Sequence, residues 1–292
     1  MVSPPTENNE RFILVQGLLH AFGIRVPRLL RADLSLGFFL LEDLGDETFW
    51  SALQTKSEDR LYGGALTLLS RMQATPVPDS VLTAYDDHEL QRELNICPEW
   101  FFDRALSMRL DAAAEVIFDR FSRCLLQAAA EQPAGFVHRD YHSRNLMMLG
   151  VDSIAIIDFQ DAIMGPITYD VASLLKDVYI VWPRSQQLEW LEHYWRLSVD
   201  AGRLSKDSWE QFLRWFDLIG LQRHIKILGV FSRLWLRDDK PAYMNDIPVV
   251  IDYIAEACAL YGDSYPAIAE FWTWFETAAL PLAREADWYS RS

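Results

Sequence analysis

Between residues 135 and 160 the chain offers three short apolar runs, Gly135–His138, Leu146–Leu149 and Ile154–Asp158, each bordered by polar residues or glycine. Runs this short read as buried strands rather than helices. Gly37–Glu42 is a fourth, closed by the turn Asp43-Leu44-Gly45. The rest has a helical period. Leu61, Ala65, Leu68, Leu69 and Met72 recur at three- and four-residue steps, as do Leu90, Leu94, Phe101 and Phe102, and the pattern returns from 168 to about 280 without an internal repeat. A few short strands set in long helical stretches define an α+β chain, with a small strand-containing head on a large helical body. Trp190, Trp195, Trp215, Trp272 and Trp274 sit at helical spacing and read as core.

Charge and cysteine content narrow the function classes. With 42 acidic against 27 basic residues the net charge is −15, so duplex nucleic acid meets long-range repulsion and is not an expected partner. Cys97, Cys124 and Cys258 are far apart and lack any C-x-x-C spacing, which encodes neither a disulfide framework nor a zinc site and fits a reducing cytoplasm. No stretch of about 18 apolar residues is present to span a bilayer, so no membrane partner is expected.

Chemistry concentrates in Val137-His138-Arg139-Asp140-Tyr141-His142-Ser143-Arg144-Asn145 and in Ile156-Ile157-Asp158-Phe159-Gln160-Asp161. Asp140 and Asn145 keep the H-R-D-x-x-x-x-N spacing of a kinase catalytic loop, and Asp158 occupies the place of the D-F-G aspartate. Phosphoryl transfer depends chiefly on alignment and on neutralising phosphate charge. A carboxylate at Asp158 and an amide oxygen at Asn145 suit Mg2+, and Asp140 is the candidate base for an acceptor hydroxyl. Asp and Asn are also ordinary loop residues, but three of them at matching spacing at strand ends favour the catalytic reading. His138 and His142 read as packing under the loop.

The phrase His138-x-Asp140-x-His142-x-x-Asn145 with Ile157-Asp158-Phe159 resembles the aminoglycoside phosphotransferase and choline kinase-like family. The match continues through Gly165–Ala172, where Asp170 is expected to cap or orient the next helix. Within the family, Val137–Met147, Ile157–Asp170, Leu174–Pro183 and Leu221–Arg237 resemble the anomeric N-acetylmuramate/N-acetylglucosamine kinases of bacterial cell-wall recycling. The resemblance implies a protein-kinase-like two-lobe fold, with 1–45 as a partial nucleotide lobe ending in the hinge and 46–292 as the helical catalytic lobe. It also implies ATP and Mg2+ as cofactors and transfer to a sugar hydroxyl. Asp140 becomes the base, Asn145 and Asp158 the metal ligands, and backbone groups at Glu42 and Leu44 the contacts to adenine. Other acceptors of the family, an aminoglycoside or an amino alcohol, stand as alternatives.

Arg223, Lys226, Arg233 and Arg237 fall within about eighty degrees of one helix face. This stripe reads either as a contact for phosphate or a sugar-acid carboxylate, with Arg223 and Lys226 as candidate substrate residues, or as a solvated face paired with nearby acids. No glycine precedes Gly17 and the first lysine is Lys56. The early strands of a full nucleotide lobe are therefore missing, and Met1 is expected to be an internal residue of a longer protein. A non-catalytic kinase-like binding protein is the alternative if the short N-terminus is genuine.

Overall fold

Each of the four expected strand runs is a strand, and a helix and two further strands join them. The computed structural model describes residues 1–3, 8–78, 81–150 and 153–289. In chain order the elements are α1 (Asn9–Ala21), β1 (Leu29–Asp33), β2 (Phe38–Leu41), α2 (Phe49–Ala52), α3 (Glu58–Gln73), α4 (Asp87–Leu94), α5 (Ala112–Ala130), β3 (Ala134–Val137), β4 (Leu146–Met148), β5 (Ile154–Ile156), β6 (Ile163–Pro166), α6 (Tyr169–Leu175), α7 (Arg184–Asp200), α8 (Trp209–Asp238), α9 (Ile247–Tyr261), α10 (Pro266–Trp274) and α11 (Leu280–Glu285). The chain divides into two compact units, residues 1–84 with 133–212, and residues 85–132 with 213–292. The expected boundary at 45/46 concerns the nucleotide lobe and falls within the first unit.

Three antiparallel pairs, β1–β2, β3–β6 and β4–β5, organise the first unit. Backbone bonds tie them to flanking segments: Ile156 N–H donates to the Arg25 carbonyl (2.8 Å), and Met148 N–H to that of Glu47 (2.8 Å). The α1 helix buries Phe12, Val15, Gln16 and Leu19, a three- and four-residue stripe. Phe12 stacks on Phe159 with ring centroids 5.1 Å apart and meets Phe39 edge-on at 5.5 Å.

On α3, Glu58 and Asp59 place negative charge in the first turn, and one face buries Leu61, Tyr62, Ala65, Leu66, Leu69 and Met72. Gly63 and Gly64 interrupt the opposite side, each costing roughly 1 kcal/mol relative to alanine in a helix interior. A Cβ at Gly63 would meet nothing within 4 Å, and one at Gly64 would meet only Ile154 Cδ1 at 3.5 Å, so neighbouring atoms do not require either glycine.

Among the described residues, every named strand lies in the first unit, and the second is helical. There α8 passes so close to the segment at Ile96–Cys97 that a Cβ on Gly229 would lie 2.5 Å from the Ile96 carbonyl carbon. Trp215 is buried with α8, as Trp190 is in the first unit, whereas Trp195, Trp272 and Trp274 are half-buried. Those three sit at the margins of the packing, Trp274 edge-on to Phe102 at 5.1 Å and Trp195 donating to Ser208 Oγ at 3.1 Å. Among the described residues no helix is long and apolar enough to cross a membrane. All three cysteines are unbridged.

Candidate active site

The loop after β3 carries Asp140, and its backbone is held from several sides. The fully buried Asp170 carboxylate on α6 accepts from His138 N–H (2.7 Å) and Arg139 N–H (3.0 Å). Paired acceptance of this kind holds Arg139 in the left-handed region, at φ 78°. Asp170, expected to cap or orient α6, lies in its first turn and anchors the preceding loop, while the N-cap position is Thr168, which makes no side-chain cap bond. A second buried carboxylate, Asp177, accepts from both the N–H (3.1 Å) and the hydroxyl (2.6 Å) of Ser143.

His138 lies at the centre of the loop, fully buried. Asp140 N–H donates to its Nδ1 (3.3 Å), which makes that nitrogen the acceptor and leaves Nε2 to donate to the Ile157 carbonyl (3.0 Å). Burial lowers its pKa to about 4, outweighing the opposing pull of Asp140, so the ring is neutral near pH 7. One imidazole therefore ties the loop of Asp140 to the residue before Asp158, as a packing role under the loop requires.

Asn145 connects the remaining members. Its Nδ2 donates to the Asp140 carbonyl (3.0 Å) and reaches Asp158 Oδ2 at 3.4 Å, while Gln160 Nε2 donates to Asp158 Oδ1 (2.8 Å). Asp158 is exposed and, like Arg139, left-handed, at φ 64°. From α1, Arg11 donates to the carbonyls of Gln160 (3.0 Å) and Ala162 (2.6 Å), clamping the segment after Asp158. A cavity of about 430 Å³ lies against these groups, lined among others by Asn145, Asp158, Arg11, Phe12 and Leu41.

With its NH2 engaged, Asn145 leaves its amide oxygen to pair with the Asp158 carboxylate as an oxygen-only donor set. Such a set fits a hard divalent cation whose other ligands are water and phosphate. Among the described residues no group of three or more His, Cys, Asp or Glu side chains is placed to hold a metal, and a cation bound through one or two side chains needs none.

Of the hinge candidates, Glu42 has its backbone donor and its carboxylate engaged within the fold. Glu42 N–H donates to the Arg28 carbonyl (2.9 Å), and its carboxylate is chelated by Arg25 (2.6 and 2.8 Å). That bidentate bond from Arg25 holds the carboxyl at about 2, well below the usual range. Leu41, one residue earlier, lines the cavity, and Leu44 is half-buried in the following turn. Arg223 and Lys226 belong to the second unit. Arg223 is buried, and Lys226 Nζ bonds the buried Glu93 at 2.7 Å. The stripe is thus partly an internal ion-pair system rather than a solvated face.

A strand-containing N-terminal part, a largely helical remainder and this loop pair define a protein-kinase-like phosphotransferase. Residues 2–206 match the phosphotransferase enzyme family, and the chain belongs to it. It is 41% identical over 283 residues to an N-acetylmuramate/N-acetylglucosamine kinase of Pseudomonas aeruginosa, covering 97% of this chain and 81% of that one. Identity to the kinase of the same name in Pseudomonas putida is 39%, over 87% of this chain and 74% of the other. In fold it is similar to an ethanolamine kinase of Plasmodium vivax, with TM-score 0.65 at 13% identity over 88% of this chain and 74% of that one. The protein is an ATP-dependent phosphotransferase with the mixed α+β, kinase-like fold that its sequence implied.

Proposed function

We propose that the chain transfers the γ-phosphoryl group of ATP to the anomeric hydroxyl of N-acetylmuramate or N-acetylglucosamine. In this reading Asp140 takes the hydroxyl proton, the sugar oxygen forms the new bond to phosphorus, and the bond to the bridging oxygen of ADP breaks. Asn145 and Asp158 would hold Mg2+, which neutralises phosphate charge. With Glu42 N–H engaged by Arg28, the Glu42 carbonyl would accept from the adenine amino group and the Leu44 N–H would donate to an adenine ring nitrogen. Arg223 and Lys226 would favour an anionic acceptor.

One observation carries the reading most directly: Asn145 bonds both the Asp140 carbonyl and the Asp158 carboxylate, joining the proposed base and metal ligands in a single hydrogen-bonded set. The sugar assignment is supported by the 41% identity that runs through nearly the whole chain.

Phosphorus NMR and mass spectrometry of reactions containing ATP and Mg2+ test it. A sugar 1-phosphate from either amino sugar is the expected product. Transfer to an aminoglycoside or an amino alcohol but to neither sugar would reassign the acceptor. No transfer to any of them would favour a binding role.

A further inference from the structure

Arg144 stands in the loop of Asp140, one residue before Asn145, and its side chain is exposed. Other arginines of this acidic chain find carboxylates: Arg25 and Arg28 meet Glu42, Arg196 meets Glu192 and Arg214 meets Glu131. Arg144 does not. Among the described residues its guanidinium forms no hydrogen bond and no ion pair, and it lies instead over the ring of Tyr179, with Cζ 3.5 Å from the ring centroid.

That distance sets the orientation. An edge-on guanidinium directs a nitrogen at the ring and holds its carbon roughly 1.3 Å farther out, whereas 3.5 Å is the separation of flat stacking. Stacking uses the faces of the group and leaves its N–H donors, which lie in its plane, pointing past the ring. A planar fork with unengaged donors matches a carboxylate, which it can bind through two parallel bonds.

The stack is anchored from below. Tyr179 N–H donates to Asp177 Oδ1 (3.0 Å), and the other oxygen of that buried carboxylate accepts from Ser143, the residue before Arg144. One carboxylate thus places both the ring and the loop residue next to the cation. His142 also meets the Tyr179 ring edge-on, with centroids 5.6 Å apart. A group ordered before its ligand arrives loses less entropy on binding.

Location indicates which anion it serves. His142 N–H and Asn145 Nδ2 both donate to the Asp140 carbonyl at 3.0 Å, so a stretch from Asp140 to Arg144 that could span roughly 14 Å when extended is drawn in around the proposed base. One sugar can therefore touch both residues. Asn145 and Asp158 line the cavity that reaches Leu41, and Arg144 and Tyr179 do not. Phosphates held through the two metal ligands lie on that side, and the anion left for Arg144 belongs to the acceptor.

We propose that Arg144, held flat on Tyr179, is a specificity-determining residue that binds the carboxylate of an anionic sugar acceptor while Asp140 takes the hydroxyl proton. The inference rests on the reading of N-acetylmuramate as an acceptor. That sugar carries a carboxylate and N-acetylglucosamine does not, so the residue separates the two.

The test is steady-state transfer from ATP, with Mg2+, to N-acetylmuramate, to its methyl ester and to N-acetylglucosamine. The ester keeps nearly the shape of the acid and removes its charge. The unaltered chain should have a lower KM for the acid than for the ester. Arg144→Ala should raise the KM for the acid about tenfold or more with kcat nearly kept, shift the other two acceptors far less, and erase the preference for acid over ester. Continued transfer to N-acetylglucosamine shows that the variant is folded. Arg144→Lys should recover part of the preference, because the charge remains and the fork does not. An unchanged KM for the acid in Arg144→Ala would overturn the proposal, as would equal rises for all three acceptors or a raised KM for ATP, which would place the guanidinium on phosphate. In those cases transfer to the sugars by the unaltered chain leaves the proposed function standing. No transfer from the unaltered chain to any of the three would remove that function, and this inference with it.

Discussion

At the residue scale, the candidate site depends on groups that touch no substrate. Asp170 accepts two consecutive buried N–H groups, and Asp170→Ala leaves both without an acceptor while Arg139 must hold its left-handed backbone unaided. The expected cost is about 2–4 kcal/mol of stability in urea denaturation, with Asp170→Asn costing less because one acceptor oxygen survives. Asp140→Asn should lower single-turnover phosphorylation by about 10²–10⁴-fold with nucleotide affinity nearly unchanged, because it removes the proposed base and leaves the Asn145–Asp158 pair intact. Near-normal turnover would remove Asp140 from that role. His138 sets a pH dependence. Its folded-state pKa, near 4, lies below the ordinary 6.5, so the unfolded chain takes up the proton more readily. The stability it contributes is present above about pH 6.5 and is lost as pH falls toward 4. Thermal unfolding at intervals between these values should show the decline, and His138→Gln should flatten it. Parallel slopes in the two proteins would assign the decline to other groups.

At the scale of elements, α1 has the most direct structural link to the proposed metal ligand, because Phe12 stacks on the residue after Asp158 and Arg11 clamps the segment beyond it. Phe12→Ala should cost about 3–5 kcal/mol and also weaken nucleotide binding, which thermal unfolding and nucleotide titration measure together. Loss of stability with unchanged binding would limit α1 to packing. Two glycine positions should respond in opposite directions. Gly229→Ala drives a Cβ into the backbone of Ile96–Cys97 and should destabilise by about 1–3 kcal/mol, whereas Gly63→Ala meets open space. These elements differ in how far the sequence reveals them. Runs of apolar residues between polar borders marked β2, β3, β4 and β5 because a buried strand needs few positions. The α1 helix was hidden because Phe12, Ile13, Leu14, Val15, Leu18 and Leu19 spread apolar character around the helix and blur its period. β6 ends at Gly165-Pro166 and reads as a turn, and only pairing with β3 makes it a strand. Asp140, Asn145 and Asp158 were legible because their spacing is local. Asp177 was not, since its partner Ser143 lies 34 residues away and nothing in the sequence marks the pair.

At the scale of the whole molecule, the charge distribution decides how the protein responds to salt. The first unit carries 21 acidic against 14 basic residues and the second 21 against 13, so the net charge of −15 is shared and neither unit offsets the other. Excess charge of one sign opposes the compact state, and added salt screens that repulsion over a Debye length of about 10 Å at 0.1 M. Salt also weakens surface ion pairs such as Arg104–Glu99 and Arg120–Glu270, but each exposed pair contributes only about 0–1 kcal/mol and many contribute nothing measurable. Relief of repulsion should therefore prevail. Raising sodium chloride from about 10 to 150 mM should increase the melting temperature by about 2–4 °C, the shift that roughly 1 kcal/mol gives a chain of this size. A melting temperature that falls across this range would mean that exposed pairs of this kind outweigh the net charge.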